Sequence, residues 1–269
     1  MLAMKMHINK AIPTLLLTLM VLLLSCPLLA KEKVTVWSYY EFPPFVTNLL
    51  GETGLSFDFV EMLNLFEDNN QYEFELKIVP RKRLDNYLAN DRTGIVLWVN
   101  PIFFGDINKT RYSWTQAVLK DEQSFISSAS DPFIFKGAKS LMTPGFVLGG
   151  VRGHVYKGIQ KEIDNGLIKR NDVNREKQNI GMLLSNRVNA FLIPNTAMRY
   201  YEKIMKLSGK IYYSPKPLNA YTRNILVNHN AAVLKFLSQT VNELPRNEYW
   251  KVLLHQYNLK LANENKPKH

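Results

Sequence analysis

The sequence predicts an α/β protein made of two α/β units. Three observations carry this. A strand, helix, strand, helix, strand order runs through residues 33–99, a second such pattern follows after about residue 130, and no long linker separates them. With 269 residues, 46% apolar and 21% charged, the chain can fill one large core or two modest ones. The same composition excludes disordered, collagen-like and disulfide-scaffold proteins.

In the first unit, residues 33–38 alternate Val34 and Val36 with polar neighbours before Trp37, which reads as a strand. Pro43-Pro44 forbids its continuation, so a loop follows. Leu55, Phe59, Met62, Leu63 and Phe66 recur at helical spacing and predict a helix over 56–67. Residues 72–79 read as a strand and 83–88 as a short helix. Residues 94–99 are almost wholly apolar, like a strand buried on both faces of a parallel sheet. In the second unit, strands are expected at 146–151 and 188–193, and helices at 156–163, 179–184 and 196–205. The chain then returns with a strand at 221–227 and helices around Val233–Leu244 and Trp250–Tyr257. Two units of this kind would be joined by strand-like crossings near Gln123–Ser128 and Ser214–Arg223, and two crossings make a hinge.

The first thirty residues read differently. Lys5 and Lys10 precede the apolar run 15–24, and Ser25-Cys26-Pro27-Leu28-Leu29-Ala30 follows, the outline of a secretory signal peptide cleaved after Ala30. The run is short for a membrane span of about 20 residues. Cleavage removes Cys26, the sole cysteine, which suits an oxidising compartment and excludes a cysteine nucleophile or thiolate metal site. An alternative reads Leu23-Leu24-Ser25-Cys26 as a lipoprotein box anchoring the protein at Cys26, against which Pro27 counts. Periplasmic location is the expectation.

The net charge of +11 falls to +9 when Lys5 and Lys10 are removed with that segment. A basic balance favours anionic neighbours without choosing among them. The densest basic cluster is only Arg81-Lys82-Arg83 and no binding motif accompanies it, so nucleic acid is not an expected partner.

The stretch Val36-Trp37-Ser38-Tyr39-Tyr40-Glu41-Phe42-Pro43-Pro44-Phe45 resembles the first strand and aromatic-Pro-Pro-Phe loop of the extracellular solute-binding proteins of family 3, the polar-amino-acid-binding type. Thr53-Gly54-Leu55-Ser56-Phe57-Asp58-Phe59 is similar to the start of that family's first helix. Leu148 to His154 is similar to its second-lobe strand and glycine turn, Leu183 to Phe191 to its Leu-Leu-x-Gly-Arg-Val-Asp-Ala segment, and Glu243 to Tyr257 to its closing helices. The resemblance covers nearly all of the chain after residue 30. It implies a type II periplasmic-binding-protein-like fold: lobe 1 from 31–124 and 222–269, lobe 2 from 125–221, and a ligand cleft between them. Two features depart from the amino-acid binders. Asn108 stands at the offset of the carboxylate-clamping arginine, with Arg111 three residues late, and Pro194-Asn195 replaces the aspartate that holds the ammonium group.

The candidate ligand-binding residues follow from strand ends, where open α/β folds bind ligands. Tyr39 and Phe42 are assigned to the cleft because those positions face ligand in the family. Trp98 and Asn100 end the buried third strand, Trp98 as core or contact and Asn100 as an uncharged donor and acceptor. Arg111 is either a clamp for an anion or an exposed strand arginine. Arg152 and His154 flank Gly153 in the second-lobe turn, where close approach of a ligand to backbone N–H groups is possible. Asn195 either caps a helix or reaches the cleft. A lone His154 without partners is no metal site, and no cofactor is implied.

Three functions remain open. The first is a binding protein capturing a small, anionic or aromatic solute other than a standard α-amino acid, read by membrane subunits of an ABC transporter or by a sensor protein. The second is a degenerate relative that binds a protein or envelope partner. The third is an enzyme on the same scaffold, for which Glu41, Asp106 and His154 offer no acid–base constellation. A monomer is expected, because no heptad seam is present.

Overall fold

The computed structural model describes residues 30–260; the signal-peptide and lipoprotein readings lie outside them, apart from Ala30. Ten strands form one continuous path in the order β2-β1-β3-β10-β5-β8-β6-β7, with β4 added to β10 and β9 to β5.

The first half holds β1 (Glu32–Ser38), β2 (Tyr72–Ile78) and β3 (Gly94–Val99) in parallel, linked by helices α1 (Leu55–Asn64) and α2 (Arg81–Ala89). The second half repeats the arrangement. β6 (Leu148–Val151), β7 (Arg170–Val173) and β8 (Ala190–Pro194) are parallel, linked by α3 (Gln160–Asp164) and α4 (Glu176–Leu184). Both halves therefore have the order second-first-third followed by one antiparallel strand, β10 in one and β5 in the other. Two parallel βαβαβ units of the same strand order fit the preference for short, un-knotted crossover connections.

Long strands β5 (Leu119–Ser128) and β10 (Asn219–Asn228) belong to both halves. The start of β10 pairs with β5 through residues 219–223, and its end pairs with β3 and β4 (Ser113–Trp114). In β5 the roles reverse, its end pairing with β8 and with β9 (Ile211–Tyr213). Core packing divides at the same place. One buried cluster gathers side chains from Val34 to Leu119 and from Ile225 to Leu259, while two smaller clusters lie between Phe125 and Ile211.

Local chemistry sets several boundaries away from the sequence expectation. α2 begins at Arg81 rather than 83, with Pro80 in the preceding extended position. The helix expected over 156–163 is confined to Gln160–Asp164, because Gly158 takes φ +98° and Tyr156 is held in a turn, its hydroxyl accepting from the Val151 N–H at 3.1 Å. β7 carries no strand signal in its sequence. Its Arg-Asn-Asp-Val sequence lacks apolar alternation because it is an edge strand.

The remaining helices, α5 (Asn195–Ile204), α6 (Ala231–Glu243) and α7 (Glu248–Gln256), add a third contact between the halves. Lys203 Nζ on α5 donates to the carbonyls of His255 and Gln256 at the end of α7, at 3.1 and 3.0 Å. There a cation meets the terminal carbonyls, that of His255 also accepting from the Asn258 N–H at 3.2 Å, and the negative end of the helix dipole. Asn258 Nδ2 donates to the Arg199 carbonyl at 2.9 Å. Phe42 and Tyr200 pack against cores on both sides.

Candidate functional site: a cleft between the lobes

The residues that follow the carboxyl ends of the parallel strands converge on one cleft of about 1260 Å³. Tyr39 to Pro43 follow β1, Arg81 follows β2, and Ile102 and Phe103 follow β3. From the other half come Gly153 to Val155 after β6, Arg175 to Lys177 after β7, and Pro194 at the end of β8. Such strand ends leave a sheet with their side chains and backbone unclaimed, which is why α/β folds bind ligands there.

The lobe 1 wall is aromatic. Tyr39 and Tyr40 lie 4.3 Å apart centroid to centroid and share a hydroxyl–hydroxyl bond of 2.9 Å. Burial, reinforced by Tyr40, holds the Tyr39 phenol neutral well above its ordinary pKa. Phe42 meets Tyr40 edge-on at 5.5 Å, and Phe103 meets Tyr221 edge-on at 5.4 Å. These edge-to-face and offset contacts fix the rings as a preformed surface.

Beneath that wall lies a buried ion pair joining the crossings. Arg223 on β10 is 1% exposed and Asp121 on β5 is 5% exposed. Arg223 Nε and Nη2 reach Asp121 Oδ2 at 2.7 and 2.6 Å, and Nη1 donates to the Trp98 carbonyl at 3.0 Å. Trp98 has φ +64°, rare for a bulky side chain, beside the register shift between β3 and β10. Thr196, on the first turn of α5, donates to Asp121 through its N–H at 3.1 Å and its hydroxyl at 2.8 Å. Asp121 also accepts from Tyr221 Oη and the Glu122 N–H, so it has no capacity left for a ligand ammonium group.

Cleft charges are otherwise mostly positive: Arg81, Lys157, Arg175 and Lys177 against Glu41 and Glu176. Lys157, Arg175, Lys177 and Glu41 are exposed, while Arg81 is partly buried.

Of the residues singled out from sequence, Tyr39, Phe42 and His154 line the cleft. Trp98 belongs instead to the core: it is fully buried against Phe45 and Phe59 and donates from Nε1 to Ser56 Oγ at 2.9 Å. Asn100 ties β3 to β10, donating to the Thr222 carbonyl at 2.8 Å while its Oδ1 accepts from the Ile102 N–H. Arg111 is exposed and stacks on its neighbour Tyr112 at 4.9 Å, away from the cleft. Arg152 is exposed beside the cleft residues, its N–H committed to the Val173 carbonyl. Asn195 starts α5 without capping it; its Nδ2 reaches Glu122 at 3.2 Å and its buried Oδ1 has no partner among the described residues. Asp106, weighed as an acid, is a loop organiser, accepting from the N–H groups of Thr110, Arg111 and Tyr112 and from Trp114 Nε1.

Sequence reasoning missed Arg81, Tyr200, Tyr201, Tyr221 and Arg223 as cleft residues. A signal existed for Arg223. Strand alternation puts it on the same face as Ile225 and Val227, so its charge had to be buried and paired.

Comparison with solved structures identifies the architecture as the two-lobe periplasmic-binding-protein fold. The neighbours are solute-binding proteins of the amino-acid-binding kind. An ancestral cationic amino acid solute-binding protein superposes with a TM-score of 0.65 at 13% identity, over 84% of this chain and 95% of that one. The substrate-binding protein of an ABC uptake transporter from Streptococcus pneumoniae, with bound histidine, gives 0.61 at 14% identity, covering 86% and 95%. The GluR0 ligand-binding core from Nostoc punctiforme, in complex with L-glutamate, gives 0.59 at 14% identity, covering 83% and 98%. No family model and no curated protein matches the sequence.

Proposed function

We propose that this protein is a periplasmic solute-binding protein that closes two lobes over a small anionic or aromatic solute, for delivery to an ABC transporter or a sensor. The observation that carries the reading is the cleft of about 1260 Å³, walled by strand ends of both lobes and bridged by β5 and β10. A solute touching both walls binds the closed form better than the open one, and that difference is all that closure requires. The signal-peptide pattern of residues 1–30 supports export.

The solute is not a standard α-amino acid in this reading. Asp121 is saturated by protein donors, Pro194-Asn195 supplies no carboxylate, and Arg111 stacks on Tyr112. An ammonium group entering the cleft would find only the exposed Glu41 and the partly buried Glu176, neither of them at the place of the aspartate that holds it in the amino-acid binders. In this reading the protein is a binder: Glu41 and His154 enter the cleft from different lobes with no hydrogen bond between them among the described residues, and Asp106 is engaged by the N–H groups of its own loop.

A second reading, a relative that binds a protein or envelope partner, draws on the Lys203 and Asn258 contacts, which tie the lobes together through protein groups. Thermal melting of residues 31–269 against carboxylic acids, amino acids, sugars and aromatic metabolites separates the two. A solute present at 100 times its Kd adds about 2.7 kcal/mol to the native state. A melting shift with one chemical class supports capture, and no shift with any class at millimolar concentration, together with a captured partner, supports the second reading.

A further inference from the structure

We infer that Arg81 is the anion contact of the cleft and that the solute class is aryl carboxylates, an assignment that rests on the solute-binding reading. Arg81 is held in place before any ligand arrives. Its Nε donates to Asp85 Oδ1 at 2.8 Å and its Nη2 to the Phe103 carbonyl at 2.7 Å. Its guanidinium carbon lies 4.2 Å from the Phe104 centroid and 5.1 Å from that of Tyr39. Those two hydrogen bonds use two of three nitrogens, and the guanidinium keeps further N–H donors on the side of the Tyr39 hydroxyl, with which it also interacts.

The other cleft cations are placed differently. Lys157, Arg175 and Lys177 are exposed, so water screens them and a contact there is worth little. Arg223 is buried but consumed by Asp121 and the Trp98 carbonyl. Arg81 differs from these in being stacked between two rings and fixed by two hydrogen bonds while its charge, shared with Asp85, still reaches the cleft. A stacked, pre-oriented guanidinium loses little freedom when it takes a carboxylate.

The surface beside it fixes the rest of the solute. Phe103, whose carbonyl anchors Arg81, packs edge-on against Tyr221, and Tyr39 continues through Tyr40 to Phe42. A carboxylate on Arg81 therefore carries its attached group onto a wall of rings, where a flat aromatic body gains stacking contact.

The test uses residues 31–269 with benzoate, phenylacetate and indole-3-acetate, the matched neutral benzyl alcohol, and benzylamine, by calorimetric titration and thermal melting. At least one aryl acid binds and raises the melting temperature, and the alcohol and amine bind at least about tenfold more weakly. Arg81→Met weakens the acid by about 10- to 100-fold. Arg81→Lys, keeping charge without the planar fork, falls between, and Arg83→Met, on an exposed position outside the cleft, leaves affinity unchanged. Aryl acids that bind Arg81→Met as tightly as the parent, at unchanged unliganded melting, overturn the assignment. So does equal binding of benzylamine. Failure of the aryl acids with binding of another class from the library of carboxylic acids, amino acids, sugars and aromatic metabolites overturns the ligand class while leaving the solute-binding reading in place, and failure of that whole library overturns both.

Discussion

Replacing Arg223 by methionine tests whether the buried pair at the two crossings organises the hinge. The substitution keeps most of the apolar stem but deletes the Nε and Nη2 contacts to Asp121 and the Nη1 bond to the Trp98 carbonyl. Asp121, whose side chain is 0% exposed, is left a buried carboxylate without a cation. Removing one partner of such a pair costs about 3–5 kcal/mol. Four protein donors from Thr196, Glu122 and Tyr221 remain on Asp121, which places the expected loss in the lower part, about 3–4 kcal/mol. At about 2–4 °C per kcal/mol for a chain of this size, the melting temperature falls by roughly 6–16 °C. Urea unfolding and melting followed by tryptophan fluorescence measure it, with the exposed Arg111→Met as a control that stays within about 0.5 kcal/mol. A loss below about 1 kcal/mol for Arg223→Met refutes the reasoning.

Asp106 makes a pH prediction. Burial would raise its pKa, but hydrogen bonds from Trp114 and the Arg111, Tyr112 and Thr110 N–H groups outweigh that and hold it below the ordinary carboxylate value. A depressed folded pKa means stability fully present above the unfolded value of about 4 and lost as pH falls through the folded one. Asp106→Asn removes that acid-limb slope and destabilises the protein at pH 7 by about 1–3 kcal/mol, measured by urea unfolding from pH 2 to 7; an unchanged slope contradicts it. Gly149→Ala places a Cβ 2.6 Å from Asn179 Oδ1 and 2.8 Å from Phe191 Cβ, so overpacking of about 1–3 kcal/mol is expected, and a neutral result would mean that β6 shifts freely. Lys203→Ala removes two contacts joining α5 to the end of α7. Hydrogen exchange of the amides at and just beyond the end of α7, His255 to Leu259, accelerates, and identical exchange shows that the contact does not restrain the lobes.

The sequence carried the fold through its strongest periodicities. The all-apolar β3 and the helical spacing of Leu55, Phe59, Met62 and Leu63 are packing signals, and packing decides such elements. β7, β4 and β9 were not legible because edge and two- or three-residue strands are defined by their neighbours and not by their own composition. In the cleft, Tyr39 and Phe42 were legible because they sit directly at a strand end. Arg81 was not: the resemblance put the end of the Arg81-Lys82-Arg83 run near the cleft, and a two-residue shift in the start of α2 turns a side chain by about 200° around the helix. Tyr200 and Tyr201 enter only through the docking of α5 beside the cleft, a tertiary arrangement with no local trace.

Closure itself is best measured as a distance across the cleft. The sequence beyond Cys26 has no cysteine, so a 31–269 protein with Asn48→Cys on lobe 1 and Lys161→Cys on lobe 2, both exposed positions, takes two spin labels cleanly. Double electron–electron resonance with and without the aryl acid or other solute that raises the melting temperature reads the lobe separation. A shorter, narrower distance distribution with solute is the predicted result, and a distribution unmoved at saturation contradicts a protein that works by trapping its ligand between two lobes.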